Sequence, residues 1–231
     1  IDELYALPSE EYSLIPEGGM AGKVIIRKGS HLGNIEIKVD SAAFLSDESR
    51  TVPRYVIPIR LTDGGGTPLI DGKTTTVLGV RYENMLFGNW WHYGKIESYD
   101  ASGTLVNTVS YPYEPDQPSS RIWTLTTVAP HSLTANAVGN EANGSNAQMK
   151  LTLDETGAIT LEAVEGASYT VSQDGECVFN RARLLQDRKI YLKYTYNDGE
   201  FTHHVTDTLQ FRNRIRDGVN EWQDENPEHY N

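Results

Sequence analysis

The chain has 231 residues, 38% hydrophobic and 23% charged, so it can bury a real core and is not a disordered tail. A formal net charge of −12, with no Lys/Arg cluster dense enough to override it, excludes nucleic acid as a partner. The single cysteine, Cys177, excludes an internal disulfide or a cysteine zinc site, and no apolar run approaches the roughly 20 residues of a membrane span.

Period-2 alternation and turn signals dominate the N-terminal part. Residues 23–27 read as a short strand. Residues 34–39 alternate cleanly, with Ile35, Ile37 and Val39 on one face and Glu36 and Lys38 on the other. Residues 55–61 form another strand, in which Pro58 removes a ladder donor and argues for an edge or a break. A glycine-rich turn at 63–67 precedes β character at 74–82. The expectation is a partial immunoglobulin-like β-sandwich over residues 1–84, with fewer strands than such a domain usually has.

From Met85 the segments lengthen, become richer in aromatics and follow one another as hairpins. Residues 90–99 and 103–111 flank the turn at 100–103, and 122–128 follow. Residues 148–153 and 158–162 flank the turn at 154–157. Residues 189–196 and 201–212 flank Asn197, Asp198 and Gly199, a strong hairpin signal. Stretches 111–120 and 139–146 read as surface loops, with one helical turn near 180–185. A meander of seven or eight strands closes into an up-and-down barrel, which removes its edges. Gly88 and Trp90, opening this part, match a lipocalin-type Gly-x-Trp, and Arg212 and Arg214 on a late strand are placed to pack over such a tryptophan. The fold expected is therefore all-β: the partial sandwich, then a lipocalin-like barrel over 85–231.

No nucleophile elbow, P-loop, dinucleotide fingerprint or zinc-protease motif occurs, and no cofactor is implied. His203 and His204 are neighbours on a strand, point to opposite faces and cannot share one metal. The acids at 154–157 and 197–200 match no calcium loop and read as hairpin turns. A glycosidase pair is a matter of carboxylate separation, which sequence does not reveal. Cys177 reads as a small core hydrophobe.

The binding candidates are aromatic. Residues 89–93 place three rings on one strand, and alternation sends Trp91 and Tyr93 to one face and Trp90 and His92 to the other. Flat rings stack on sugar faces while their polar tips reach hydroxyls, so an exposed member of this set suits a carbohydrate. The competing reading makes both tryptophans structural. Tyr111 and Tyr113 form a second candidate platform, whereas Tyr194 and Tyr196 share a face with Leu192 and should point into the core.

Residues 123–128, 133–136 and above all 208–222 resemble the C-terminal domain of a family of Bacteroidetes surface lipoproteins from starch-utilisation-like glycan loci. Residues 7–12, 23–27 and 56–61 are similar to the later half of that family's first, Ig-like domain. The resemblance implies export, an N-terminal lipid anchor upstream of Ile1, and a place at the outer membrane or cell surface; without it, a trimmed cytosolic protein fits the start at Ile1 equally well. Its function implied by association is glycan binding or adhesion without catalysis, with an oligosaccharide or a surface protein complex as partner. A structural subunit and a barrel holding a small apolar ligand are the alternatives. Within 208–222, Leu209 and Phe211 should enter the core, Asp217 and Gly218 should turn, and Trp222 should plug a barrel end. Arg212, Arg214 and Arg216 should pair with first-domain acids or meet an anionic sugar or lipid headgroup.

Overall fold

The computed structural model describes residues 3–18, 20–115, 117, 120–140, 148–216 and 219–221, with the backbone alone for 216 and 219–221. The chain divides into two compact units, Ile1–Glu83 and Asn84–Asn231. The turn at 217–218, Trp222, the tail beyond it and most of the 139–146 loop lie outside the described residues.

In the first unit, strands Tyr5–Ala6 (β1), Tyr12–Pro16 (β2), Ile35–Val39 (β3), Tyr55–Arg60 (β4) and Thr75–Val80 (β5) form two small sheets. β2 and β3 make an antiparallel pair in which Ile35, Ile37 and Val39 are half-buried and Glu36 and Lys38 exposed, as the alternation predicts. β4 lies between antiparallel β5 and a short parallel partner, β1. The Val56 carbonyl accepts from the Leu7 amide at 2.8 Å. Alternation turns Pro58 to the same side, past the end of β1, so its missing donor costs no ladder bond and β4 is locally an edge there.

Residues 23–27 are not a strand. Lys23 makes an isolated bridge to Met20, and Val24, Ile25 and Ile26 are exposed and join no strand pairing among the described residues. A short helix, Ser41–Leu45 (α1), was not expected. Asp40 caps it by accepting from the Ala42 and Ala43 amides, and it delivers Phe44 to a small core with Leu7 and Ile57.

Arg50 anchors this unit. It is 6% exposed, donates to Glu11 Oε1 at 2.8 Å and lies 3.7 Å over the Tyr55 ring. Its carbonyl accepts from the Tyr82 amide.

The second unit contains Gly88–Tyr99 (β6), Leu105–Tyr111 (β7), Ile122–Ala129 (β8), Ser132–Ala135 (β9), Met149–Leu153 (β10), Ile159–Ala163 (β11), Thr170–Gln173 (β12), Val178–Phe179 (β13), Lys189–Asn197 (β14), Thr202–Arg216 (β15) and Val219–Glu221 (β16). The ladder runs β11-β10-β9-β8-β6-β15-β14-β12. Read from β6, that is an up-and-down meander whose last long strand returns to its first. The result is a nearly closed eight-stranded antiparallel barrel. β13 helps close the remaining gap: it pairs with β14, while Val178 bridges Ala158 beside β11. β6 shares one edge between two partners, β8 beside its first half and β7 beside its second. The short strands β9, β12 and β13 were not read as strands from sequence, and the single turn expected near 180–185 is a 3₁₀ turn at Leu185–Asp187.

The barrel interior is built by alternation. On β14, Ile190, Leu192, Tyr194 and Tyr196 point inward, as expected of the two tyrosines, and Tyr191 and Lys193 point out. Leu209 and Phe211 enter from β15, and Trp90, Trp123, Leu133, Met149 and Leu151 fill the rest. Cys177 packs in the same core, where burial pushes its thiol up in pKa.

Arg50→Ala would leave Glu11 without its partner and strip cover from Tyr55. It should cost about 3 kcal/mol, read as a lower urea midpoint for the first unit.

Candidate functional site

β6 divides the predicted aromatic set in two. Trp90 and His92 point into the barrel; Trp91 and Tyr93 point out.

The inner group is sealed. Trp90 is fully buried, donates from Nε1 to the Leu86 carbonyl at 3.0 Å and meets Phe211 edge-on. Gly88, at φ 139°, lets the strand pass close to β15, where a Cβ would sit 2.9 Å from the Asn213 carbonyl oxygen. Arg214 is buried and donates to the Phe87 and Met85 carbonyls, while its guanidinium lies 5.9 Å over Phe211. It therefore helps close one end of the barrel. Arg216's side chain lies outside the described residues.

Deeper in the barrel sits a polar cluster that sequence reading missed. Asp207, 1% exposed, accepts from the Tyr111 hydroxyl at Oδ1 and from the Tyr194 hydroxyl at Oδ2, the latter at 2.8 Å. The Tyr194 oxygen in turn accepts from the Gly139 amide at 2.7 Å. His92 stacks on Trp123 at 4.4 Å, and its Nε2 lies 3.0 Å from Asp207 Oδ1, off the line that a hydrogen bond needs. Burial first, then the neighbouring Asp207, pushes both phenols far above the ordinary tyrosine pKa, so both stay donors.

Gly94 makes this cluster geometrically possible. Asp207 on β15 and Tyr111 on β7 both register with Gly94, which lies between them on β6. With no side chain there, Tyr111 reaches across the strand to Asp207. A Cβ at Gly94 would fall 2.2 Å from the Thr206 carbonyl oxygen and 2.8 Å from Asp207 Oδ1. The sequence signal was a glycine inside a strongly alternating strand, which marks close approach of neighbouring groups. Tyr111 is thus a core residue and not a platform.

The outer face is different. On β6, β15 and β14 the register places outward side chains in rows. Trp91, Gln210 and Lys189 form one row, and Tyr93, Thr208 and Tyr191 the next; Lys95, Thr206 and Lys193 follow, then Glu97, His204 and Thr195. Arg212 covers Trp91 at 4.7 Å, leaving that ring 9% exposed, so Trp91 is not a bare platform. Tyr93 is half-buried, and exposed Tyr113 packs against it at a centroid distance of 5.0 Å. Tyr191 is 42% exposed beyond Thr208. Partial burial raises the Tyr93 phenol, with the Tyr191 and Tyr113 hydroxyls adding to the effect. With strands about 4.8 Å apart, Tyr93 and Tyr191 stand roughly 10 Å apart across Thr208.

Beside this aromatic row lies a depression of about 190 Å³, lined by Lys95, Glu97, Tyr99, Asp174, Lys193, His204 and Thr206 among others. Its two carboxylates are each held by a base: Glu97 by Lys95 at 2.5 Å and Asp174 by His204 at 2.9 Å. His203 faces the other way and is buried against Ser98 and Asp198. The aspartates Asp154 and Asp198 in the two hairpin turns are engaged locally. Asp154 accepts from the Thr156 and Ala158 amides, and Asp198 from the Glu200 and Phe201 amides. Burial would raise the Asp198 carboxyl, but hydrogen bonds from the Phe201 amide, His203 and the Glu200 amide hold it down at about 2.

No protein-family model and no curated protein sequence matches the chain. Among solved structures, a Bacteroides ovatus protein of unknown function superposes with a TM-score of 0.71 at 20% identity, over 94% of this chain and 76% of that one. The two share a fold. A multidomain protein including DUF1735 from Bacteroides ovatus (TM-score 0.46, 14% identity, 95% and 76% covered) and a lipoprotein from Bacteroides thetaiotaomicron (0.36, 12%, 67% and 72%) superpose only loosely. A shared fold with a Bacteroides protein accords with the resemblance read from the sequence.

Gly94→Ala should destabilise the barrel by about 2–3 kcal/mol, because the added methyl collides with backbone and with a buried carboxylate that cannot withdraw. Chemical denaturation of the variant against wild type measures this.

Proposed function

We propose that this protein is a noncatalytic module of the cell envelope that binds a glycan on the outward face of β6, β15 and β14. The observation that carries the reading is the aromatic row: Tyr93 with Tyr113 on one side and Tyr191 on the other, next to a polar groove. Such rings offer flat apolar faces with hydroxyl tips, which match the alternating apolar faces and hydroxyl edges of a sugar. The threonines between the strands, Thr206 and Thr208, add donors and acceptors at the floor.

The noncatalytic part rests on what surrounds the acids. Asp207 is closed off from solvent, and the groove carboxylates are each occupied by a neighbouring base. The apolar-ligand alternative finds less support, since large side chains and the Asp207 cluster occupy the barrel interior. Attachment to the envelope by a lipid is what the sequence resemblance implies, and on that reading the glycan-binding face lies outside the cytoplasm.

A second reading, a subunit that pairs with another protein, is favoured by one feature. β5 is a sheet edge among the described residues, with Val77 and Leu78 exposed, and such an edge is a template for an added strand.

Screening the full chain on a broad array of immobilised oligosaccharides tests the first reading. At least one glycan should be retained, and Tyr191→Ala should weaken it roughly fivefold while the fold is unchanged. Silence across the array, or a Tyr191→Ala variant that binds as wild type does, would contradict it.

A further inference from the structure

The outer face carries a charge pattern opposite to that of the chain. The protein's formal net charge is −12. Yet the outward rows of β6, β15 and β14 contain Lys95, Lys189 and Lys193 against one carboxylate, Glu97. The register sets Lys95 and Lys193 on either side of Thr206, one strand away in each direction. This lysine pair is the row next to the Tyr93, Thr208 and Tyr191 row, about 7 Å along the strands. Lys95 is partly neutralised by Glu97. Among the described residues Lys193 makes no ion pair: Asp174, opposite it, is engaged by His204. The Lys193 stem lies against Gly175, where a Cβ would fall 2.6 Å from its Cδ, and the residue lines the groove.

We infer that the groove selects an acidic oligosaccharide, with a sugar carboxylate seated over Thr206 between Lys95 and Lys193 and the adjoining sugar ring on the tyrosine row. The inference rests on the glycan-binding reading above and adds the class of sugar. Its physical basis is simple. A neutral glycan would gain only ordinary hydrogen bonds from two ammonium groups one row from the stacking surface. An anion there gains two charge-assisted contacts and a hydroxyl donor. On an otherwise acidic protein, this face is also a place where an acidic polysaccharide is not repelled.

Isothermal titration of the full chain with a hexamer of galacturonic acid and, separately, a neutral hexamer of glucose tests the inference. The acidic probe should bind about fivefold tighter at low salt, and added salt should erode the difference. In Lys193→Gln the ratio of the two affinities should fall toward one, and Lys95→Gln should move it the same way. Lys150→Gln, on β10 and paired with Glu162, should leave it as in wild type. A thermal melt of each variant checks that it is folded. Equal or tighter binding of the neutral probe, or an unchanged ratio in folded Lys193→Gln, overturns the acidic-sugar inference alone. Binding of neither probe also overturns the acidic-sugar inference, and silence across the oligosaccharide array overturns the reading it rests on.

Discussion

Strand β6 serves both sides of the barrel at once, because successive side chains on a pleated strand point to opposite faces. It is also the strand against which β15 returns, in register from Tyr99 to Trp90 before a bulge at Arg212. That pairing brings the two ends of the meander together, and with the β14–β15 register it fixes the inner and outer rows described above. A slip of one residue would carry Trp90 and His92 to solvent and Tyr93 and Lys95 into the core. The large inward side chains on β6, β14 and β15 make such a slip costly, so the outer rows inherit their order from the packing of the inner ones.

The inner face is not a uniform hydrocarbon core. Asp207 sits among rings, and burying a carboxylate there is tolerable only because Tyr111 and Tyr194 both donate to it and His92 lies alongside. Gly94 is the space that allows this. The cluster ties three strands and the Gly139 amide to one group, which gives the barrel a polar anchor in addition to apolar burial. Arg50 in the first unit is a parallel solution: a buried cation held by the Glu11 carboxylate, with Asp47 at 3.7 Å, and covered by aromatic rings. In both units a few charged residues are buried with named partners.

Much of the barrel was legible in the sequence. Hairpin turns with Asp or Asn at their start and Gly at their end located three pairs of strands, because local turn chemistry and period-2 alternation act over a few residues. Alternation also sorted Trp90 and His92 from Trp91 and Tyr93 correctly. What could not be read were features set by contacts between distant segments. β1 is two residues long and exists only because β4 lies beside it; residues 23–27 look like a strand but make a single isolated bridge, Lys23 to Met20, among the described residues. Tyr111 looked like part of an exposed loop platform, and only the register across Gly94 shows why it turns inward. Trp91 was legible as outward-facing, but its cover by Arg212 depends on the bulge in β15. The candidate surface itself combines strands from opposite ends of the barrel domain. Tyr191 and Lys193, with no special signal of their own, belong to it through the β14–β15 register.

The account places carbohydrate recognition on the outward face of β6, β15 and β14, with the barrel interior acting as scaffold. Amide and tyrosine-ring chemical shifts, followed by NMR while the protein is titrated with an oligosaccharide, would map that directly. The account predicts changes centred on Tyr93, Tyr191, Thr206 and Thr208, with Tyr111 and Tyr194 unmoved. Shifts confined to the first unit or to the barrel interior would contradict it.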